Sequence, residues 1–197
     1  MKELKVKITL IEDMLGTASS NPQIQDEFIA SKAPDEASAN EEVEAIPVSE
    51  PVVKGKTVFP RDKEGNLIIW DYQVRGFFKD ACSMLKKVDG SESSKCKAFK
   101  KEIDGLIFVN PRQIPIQLSG PVGVCQRPLR AQTMQGERVT IATSETVPAG
   151  SVIEFTVVCL VDKDIPMVKE WLNYGVLRGL GQWRNSGCGR FTCEISE

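Results

Sequence analysis

The stretch that decides the fold is IPMVKEWLNYGVLRGLGQWRNSGCGRFTCEIS, residues 165–196. Apolar residues recur in its first half at spacings of three and four, as on one face of an α-helix. These residues are Val168, Trp171, Leu172, Val176 and Leu180. Gly179 and Gly181 are expected to end the helix, because glycine is a poor helix former. A strand from Phe191 to Ile195 is predicted directly after the loop that follows.

That loop, QWRNSGCGR at 182–190, is rich in glycine and arginine. Glycine lets a backbone turn sharply or come close to a ligand, and the guanidinium groups of Arg184 and Arg190 match the shape and charge of a phosphate. Backbone N–H groups gathered in such a turn also bind anions. The sequence therefore predicts a phosphate-binding loop, with a purely structural glycine-rich turn as the alternative.

Three further segments have the periodicity of core elements. Residues 5–11 and 151–161 alternate between apolar and polar side chains, which predicts strands with one buried face. Between them, Asp71 is expected to cap a helix that extends to Lys87. The apolar stripe of that helix consists of Val74, Phe77, Phe78, Ala81 and Leu85.

The middle of the chain is predicted to be rich in strands. Apolar runs at 106–109, 114–118 and 139–143 are separated by Pro, Gly and Ser, the usual residues of turns. The polar segment 119–138 predicts a hairpin insertion, whose Arg127 and Arg130 either line nucleic-acid bases or belong to an ordinary long hairpin.

The predicted elements follow one another as strand, helix, strands, helix and strand. This order predicts an α+β fold of the ferredoxin-like type, an antiparallel sheet with two helices on one face. At 197 residues, the chain is expected to form a single domain spanning 1–197.

Charge is distributed unevenly along the chain. The formal net charge is −2, but residues 26–50 contain eight acids and one lysine, a charge of −7. Because residues 1–25 balance, the chain from residue 51 onward carries +5. We expect 26–57 to form an acidic, extended insertion, since it is poor in large apolar residues. The basic remainder has the charge of a surface that follows phosphates, or of an ordinary solvated face.

The chain contains no histidine and six cysteines. The absence of histidine excludes Ser-His-Asp, Cys-His and His-pair catalysis. No two cysteines have Cys-x-x-Cys spacing, so we expect reduced, mostly buried thiols in a cytoplasmic protein rather than a zinc site. No apolar run approaches the roughly 20 residues of a membrane helix. We predict no catalytic residue, no metal site, no cofactor and no membrane partner.

Three segments resemble the RAMP superfamily of CRISPR-associated proteins, and within it the Cas7-like subunits of type III effector complexes. LKVKITLIEDMLGTASS is similar to the family's first strand and the small-residue loop after it. FPRDKEGNLIIWDYQVRGFFKDAC is similar to its turn, short strand and first helix, with residues 72–79 where the family often has Pro-Gly-Ser-Ser-Leu-Lys-Gly. SETVPAGSVIEFTVVCL, the next helix and GLGQWRNSGCGRF resemble its last strand, helix and glycine-rich loop.

The resemblance covers a little over half of the chain and implies an RRM-like core that binds RNA along its backbone. Subunits of this type that cut RNA use an aspartate in the early loop; neither Asp26 nor Asp35 stands in a matching context, so no catalytic residue is carried over. With the two arginines of the hairpin, the candidate RNA-binding residues are Arg75, Lys79, Arg127, Arg130, Gly181, Trp183, Arg184, Asn185, Ser186, Gly187, Gly189 and Arg190.

Three functions follow as hypotheses. The first is a non-catalytic module that binds RNA together with other RAMP or CRISPR effector subunits, or with copies of itself. The second follows from a likeness to single-RAMP proteins of phages of Gram-positive bacteria: a phage-encoded mimic or inhibitor of a CRISPR or other antiviral defence complex. The third is a metal-dependent ribonuclease. The basic body and the Gly/Arg loop favour the first hypothesis.

Overall fold

The computed structural model describes residues 1–20, 56–133 and 136–196, without the side chains of 129–133 and 137–140. The predicted acidic insertion at 26–57 lies outside the described residues except for its last two. In the described ranges the chain forms three α-helices: α1 (Asp71–Leu85), α2 (Phe99–Leu106) and α3 (Ile165–Asn173). The strands are β1 (Lys2–Leu10), β2 (Met14–Leu15), β3 (Ala18–Ser19), β4 (Lys56–Val58), β5 (Ile68–Trp70), β6 (Ile107–Asn110), β7 (Gln113–Gln117), β8 (Gly123–Thr133), β9 (Gly136–Val147), β10 (Val152–Cys159) and β11 (Phe191–Ser196).

The larger sheet has the strand order β11-β1-β10-β7-β5, with β6 also paired to β10. Every pairing in it is antiparallel. In the central register, Val6 of β1 lies between Phe155 of β10 and Ile195 of β11. The predicted α+β class is therefore confirmed, and the strands predicted at both ends of the chain pair with each other, β11 at the edge of the sheet and β1 inside it.

One face of this sheet is apolar and carries the helices. The inward side chains of β1 are Leu4, Val6, Ile8 and Leu10, all buried. On α1, the ring of Phe77 packs 5.3 Å from that of Phe191, and Phe78 packs 5.6 Å from Trp171 of α3. Both helices thus share one core with the sheet, and β1 carries Lys5, Lys7 and Thr9 on the opposite face.

A second, smaller sheet has the order β2-β9-β4-β3, with β8 paired to β9. Its largest part is the hairpin of β8 and β9, paired in register from Gly123 opposite Thr146 to Thr133 opposite Gly136. The segment 119–138, predicted as a hairpin insertion, contains β8 and the start of β9, and β9 continues to Val147. The pair β4 and β9 is parallel.

Helix α1 begins one residue earlier than predicted. The position before the helix is occupied by Trp70, whose backbone N–H donates to Oε1 of Gln73 at 2.8 Å. Asp71 is therefore the first helical residue, and the helix ends at Leu85 rather than Lys87. The predicted apolar stripe is confirmed, with Val74 at its centre 1% exposed.

The predicted extent of α3 is wrong, because the helix ends at Asn173 and not near Gly179. A Cβ at Gly175 would lie 2.3 Å from the ring of Phe191, so the fold needs glycine there. Glycine weakens a helix, and the chain continues as a single 3-10 turn, Tyr174–Val176.

Helix α2 was not predicted. It begins at Phe99 within the basic run and ends at Leu106, which was expected to start a strand. Its Ile103 is fully buried in the common core. No helix in the described ranges is long and apolar enough to cross a membrane.

Asp164, directly before α3, is a buried carboxyl group in this fold. It is 0% exposed, and neither of its oxygens has a hydrogen-bond partner among the described residues. Burial raises the pKa of Asp164, Lys163 lowers it, and Glu102 raises it further. The folded protein therefore binds this proton more tightly than the unfolded chain, which favours folding at low pH; the benefit is lost as the pH rises through the raised pKa.

We expect Asp164→Asn to stabilise the protein at pH 7.5 by more than the roughly 0.5 kcal/mol of an ordinary surface change. The reason is that asparagine cannot ionise in the buried position. The gain should shrink as the pH falls toward 4, measured by urea unfolding at both pH values. The exposed Asp162→Asn is the matched control, and a gain that does not change with pH would contradict the prediction.

Candidate nucleic-acid interface

The glycine-rich loop follows a backbone path that few residues other than glycine adopt. The φ angles are 81° at Gly181, 86° at Gly187 and 69° at Gly189. Trp183 also lies in the left-handed region, with φ 59°, which is unusual for a bulky residue. It directly precedes a 3-10 turn, Arg184–Ser186.

Two glycines of this loop face each other where the chain crosses itself. A Cβ at Gly179 would lie 2.2 Å from the carbonyl carbon of Gly189, and a Cβ at Gly189 would lie 2.0 Å from the carbonyl oxygen of Leu180. The N–H of Leu180 donates to the Gly189 oxygen at 2.9 Å, and the N–H of Gly189 donates to the Asp13 oxygen at 2.8 Å. The fold itself therefore requires these two glycines.

The prediction of free backbone N–H groups in the loop is wrong for four of its residues. Ser186 donates to the carbonyl oxygen of Trp183, Gly187 to that of Arg184, Gly189 to that of Asp13 and Gln182 to that of Leu15. These donors close the turn and attach it to the segment after β1. Any anion recognition by the loop must rely mainly on its side chains.

The principal polar contact of the loop is made with α1. Asp80 accepts from Nε and Nη2 of Arg178, the latter at 3.2 Å, and from Nη1 of Arg184 at 3.2 Å. Arg178 also donates through Nη1 to Oδ1 of Asn185 at 2.9 Å. We name these four residues the Asp80 cluster. One carboxylate lies between two guanidinium groups, so the cluster keeps one uncompensated positive charge.

The hydrogen bond to Asp80 raises the pKa of Arg178 above its already high ordinary value. The arginine therefore stays charged, and both side chains are only partly exposed, Arg178 to 23% and Arg184 to 34%. A half-buried, fixed guanidinium group binds phosphate better than a mobile one, because less side-chain entropy is lost.

Two more predicted arginines flank the loop. The guanidinium group of Arg127, on β8, lies 4.7 Å from the centre of the Trp183 ring, a cation–π contact. Its Nη2 donates to Sγ of Cys188 at 3.7 Å. Arg190 pairs with Glu12 at 2.9 Å. The structure thus places Arg127 of the hairpin against Trp183 and Cys188 of the loop.

Two other predicted cations form ion pairs outside the loop. Arg75 forms an ion pair with Asp71 of the same helix at 2.8 Å, and Lys79 pairs with Asp104 of α2 at 2.6 Å. Arg130 lies in β8, and its side chain is outside the described residues. Arg75 and Lys79 share α1 with Asp80, but their contacts do not place them in the loop.

A cleft of about 420 Å³ lies between α1, the segment after β1 and the glycine loop. We name it the Gly76 cleft. Its walls are mainly apolar, and Gln73 and Arg184 are the larger polar side chains on them. The lining residues are Met14, Leu15, Thr17, Ala18, Ser19, Phe59, Pro60, Ile69, Trp70, Tyr72, Gln73, Gly76, Phe77, Leu180, Gly181 and Arg184.

Hydrogen bonds fix two walls of the cleft. Nε2 of Gln73 donates to Oγ1 of Thr17 at 2.6 Å, which connects α1 to the segment after β1. Glu145 of β9 accepts from the N–H of Phe59 at 2.9 Å and from Arg61 at 2.7 Å. The Gly76 cleft is therefore held open by polar contacts within the protein.

The open face of the larger sheet has a different character. Its central strands present Lys7 between Glu154 of β10 and Glu194 of β11, and Lys7 lies 4.0 Å from Glu154. RRM domains stack bases on aromatic rings at such central positions, but here the centre carries alternating charges. The loop side is therefore the better candidate for nucleic acid.

The sequence analysis missed Asp80, Arg178 and Gly76. Asp80 and Arg178 are 98 positions apart, and their contact depends on how α1 packs against α3. The available signal was Asp80 itself, an acid within the basic surface of α1. For Gly76, the signal was a glycine inside a strong helical pattern.

The fold was compared with solved structures and with known sequences. A chain in the cryo-EM structure of the type III-B Cmr-beta bound to cognate target RNA matches with a TM-score of 0.56 and 12% identity. That match covers 98% of this chain and 59% of the other, so this chain spans about three fifths of that chain's length. A chain of a type IV-B CRISPR complex matches with a TM-score of 0.49 and 12% identity, over 99% of this chain and 90% of that one. No protein-family model and no curated protein matches the sequence. The chain therefore shares its fold with a chain of a type III-B CRISPR complex.

Proposed function

We propose that this protein is a non-catalytic RNA-binding subunit of the RAMP, Cas7-like type, which contacts the RNA backbone through its glycine loop. Its partners are RNA and either other CRISPR effector subunits or further copies of this chain. The arrangement of β1, α1, β6, β10, α3 and β11 supports a ferredoxin-like core. The strand order β11-β1-β10-β6 and the two helices on one face have the pattern expected of that core.

The observation that carries the proposal is the Asp80 cluster beside the Gly76 cleft. Two fixed guanidinium groups share one carboxylate, and Arg184 belongs both to the cluster and to the cleft wall. Guanidinium groups match phosphate oxygens in shape and charge. Arg127 and Arg190 extend this positive edge along the loop, so a strand of RNA has several cations to follow.

The salt dependence of RNA binding tests the proposal. We expect Arg184→Ala and Arg190→Ala each to weaken binding of a single-stranded RNA about fivefold and to lower the slope of log affinity against log salt by about 0.7 to 1. The slope changes because a protein that makes one phosphate contact fewer releases fewer counterions from the RNA when it binds. The measurement is fluorescence anisotropy between 50 and 300 mM salt, within the range over which such contacts are commonly titrated.

Lys95→Ala is the matched control. Lys95 carries the same charge and is 68% exposed, but its ion pair is with Glu92, three residues away. It should change neither slope nor affinity beyond a small general effect of charge. Unaltered slopes for both loop variants, or no binding by the parent protein at low salt, would refute the proposed function.

A further inference from the structure

Gly76 has an unusual position for a glycine. It lies inside α1, where glycine is the least favourable residue after proline, and it is exposed. A Cβ built at Gly76 would meet no heavy atom within 4 Å. Packing within the described protein therefore gives no reason for the missing side chain. The free space above Gly76 belongs to the Gly76 cleft.

The cleft has the size and surface of a small-ligand site. Its volume of about 420 Å³ falls in the range of roughly 300–1,000 Å³ that is common for such sites. Beside Gly76, the ring of Tyr72 lies parallel to that of Trp70, with centres 6.3 Å apart and 7° between the planes. The walls thus suit a flat, largely apolar group.

The positive charge of Arg184 next to the cleft indicates that the ligand also carries an anionic group. Arg184 lines the cleft while Asp80 holds its Nη1. A ligand that fits must combine a flat ring with an anion a short distance away. A nucleotide within an RNA strand has this combination, with the base as the ring and the phosphate as the anion.

We infer that the Gly76 cleft holds one nucleobase of the bound RNA strand, with a neighbouring phosphate of that strand on Arg184. The inference rests on the proposed function and adds to it a base-binding site. Gln73 uses both ends of its amide within the protein, on the Trp70 N–H and on Thr17. The base is therefore held by apolar contact rather than by its hydrogen-bonding edge, and sequence preference at this position is weak.

The test compares two ligands that carry the same number of phosphates: a twelve-nucleotide uridine RNA and its abasic counterpart. The parent protein should bind the intact RNA about fivefold more tightly, because one base enters the cleft. Gly76→Leu should fill the cleft, remove this difference and bind both ligands equally. Since leucine is the better helix former, the variant should unfold at the same or a higher temperature than the parent.

Gly105→Leu is the matched control. Gly105 also lies in a helix, α2, with no heavy atom within 4 Å of a Cβ, and it does not line the cleft. It should keep the preference for intact RNA. Two results would overturn the base site and leave backbone binding in place. One is equal binding of intact and abasic RNA by the parent; the other is an unchanged preference of Gly76→Leu for intact RNA. Failure of the parent to bind either ligand would refute both proposals.

Discussion

Asp80→Ala should weaken RNA binding about thirtyfold, equivalent to about 2 kcal/mol, although it removes a negative charge from a surface proposed to bind an anion. Asp80 holds Arg178 and Arg184 at the same time. Without it, two neighbouring guanidinium groups would repel each other and lose the fixed arrangement that favours phosphate binding. The measurement is the dissociation constant for a single-stranded RNA at 100 mM salt, with Asp80→Asn expected to lie between the parent and the alanine variant.

Asp104→Ala is the matched control, because it removes a negative charge without removing the carboxylate that holds Arg178 and Arg184. Asp104 pairs with Lys79, and its side chain is 53% exposed. Its removal changes the net charge by the same amount but leaves the Asp80 cluster intact. We expect equal or slightly tighter RNA binding, through long-range attraction alone. If Asp80→Ala behaves like Asp104→Ala, the cluster does not position the arginines.

Gly189→Ala is expected to destabilise the fold by about 3 kcal/mol. About 1–2 kcal/mol comes from the left-handed backbone, and a further 1–3 kcal/mol comes from overpacking, since the new Cβ would lie 2.0 Å from the carbonyl oxygen of Leu180. For a chain of this length, the midpoint of thermal unfolding should fall by about 10 °C. Circular dichroism during heating measures the change.

Gly187→Ala distinguishes the two causes. Gly187 has a similar φ of 86°, but the nearest atom to its Cβ is Nε of Arg190 at 3.7 Å. Only the backbone cost should apply, about 1 kcal/mol, which lowers the midpoint by a few degrees. Equal losses in the two variants would show that the crossing of the chain at Gly189 is not tightly packed.

Much of the core could be predicted from the sequence, because one-sided burial leaves a clear period. The alternation in residues 5–11 and 151–161 and the apolar stripe of α1 predicted β1, β10 and α1 to within three residues at each end. For α2, the pattern was present in Phe99, Ile103 and Leu106, at a spacing of four and three. Three residues are too few to distinguish a helix from other structures by period alone.

The errors arose where tertiary contacts overrule local preference. The predicted continuation of α3 fails at Gly175, whose missing side chain makes room for the Phe191 ring. No local pattern indicates that contact between residues 16 positions apart. Val176, predicted to lie on the apolar face of that helix, is 43% exposed, so an apolar residue at helical spacing need not face a core.

The amino-acid composition of the candidate loop could be read from the sequence, but the contacts that its residues make could not. Glycines and arginines marked the loop, and Trp183 and Asn185, named with them, contact Arg127 and Arg178; their role in RNA binding stays a prediction. The pairing of Arg178 with Asp80 depends on helix packing, and the closure of the turn by its own N–H groups depends on backbone angles. A single sequence contains no direct record of either.

The contacts between the glycine loop and the segment after β1 have a consequence for folding during synthesis. Gly189 and Arg190 make backbone hydrogen bonds with Asp13 and Ile11, and β11 completes the sheet at the edge of β1. Contacts between such distant parts of a chain form slowly, because a long loop must first close. During synthesis, a ribosome-bound chain that still lacks 165–196 has no arginine loop and an unpaired strand edge. The RNA binding that we propose should therefore arise only after this segment has been synthesised.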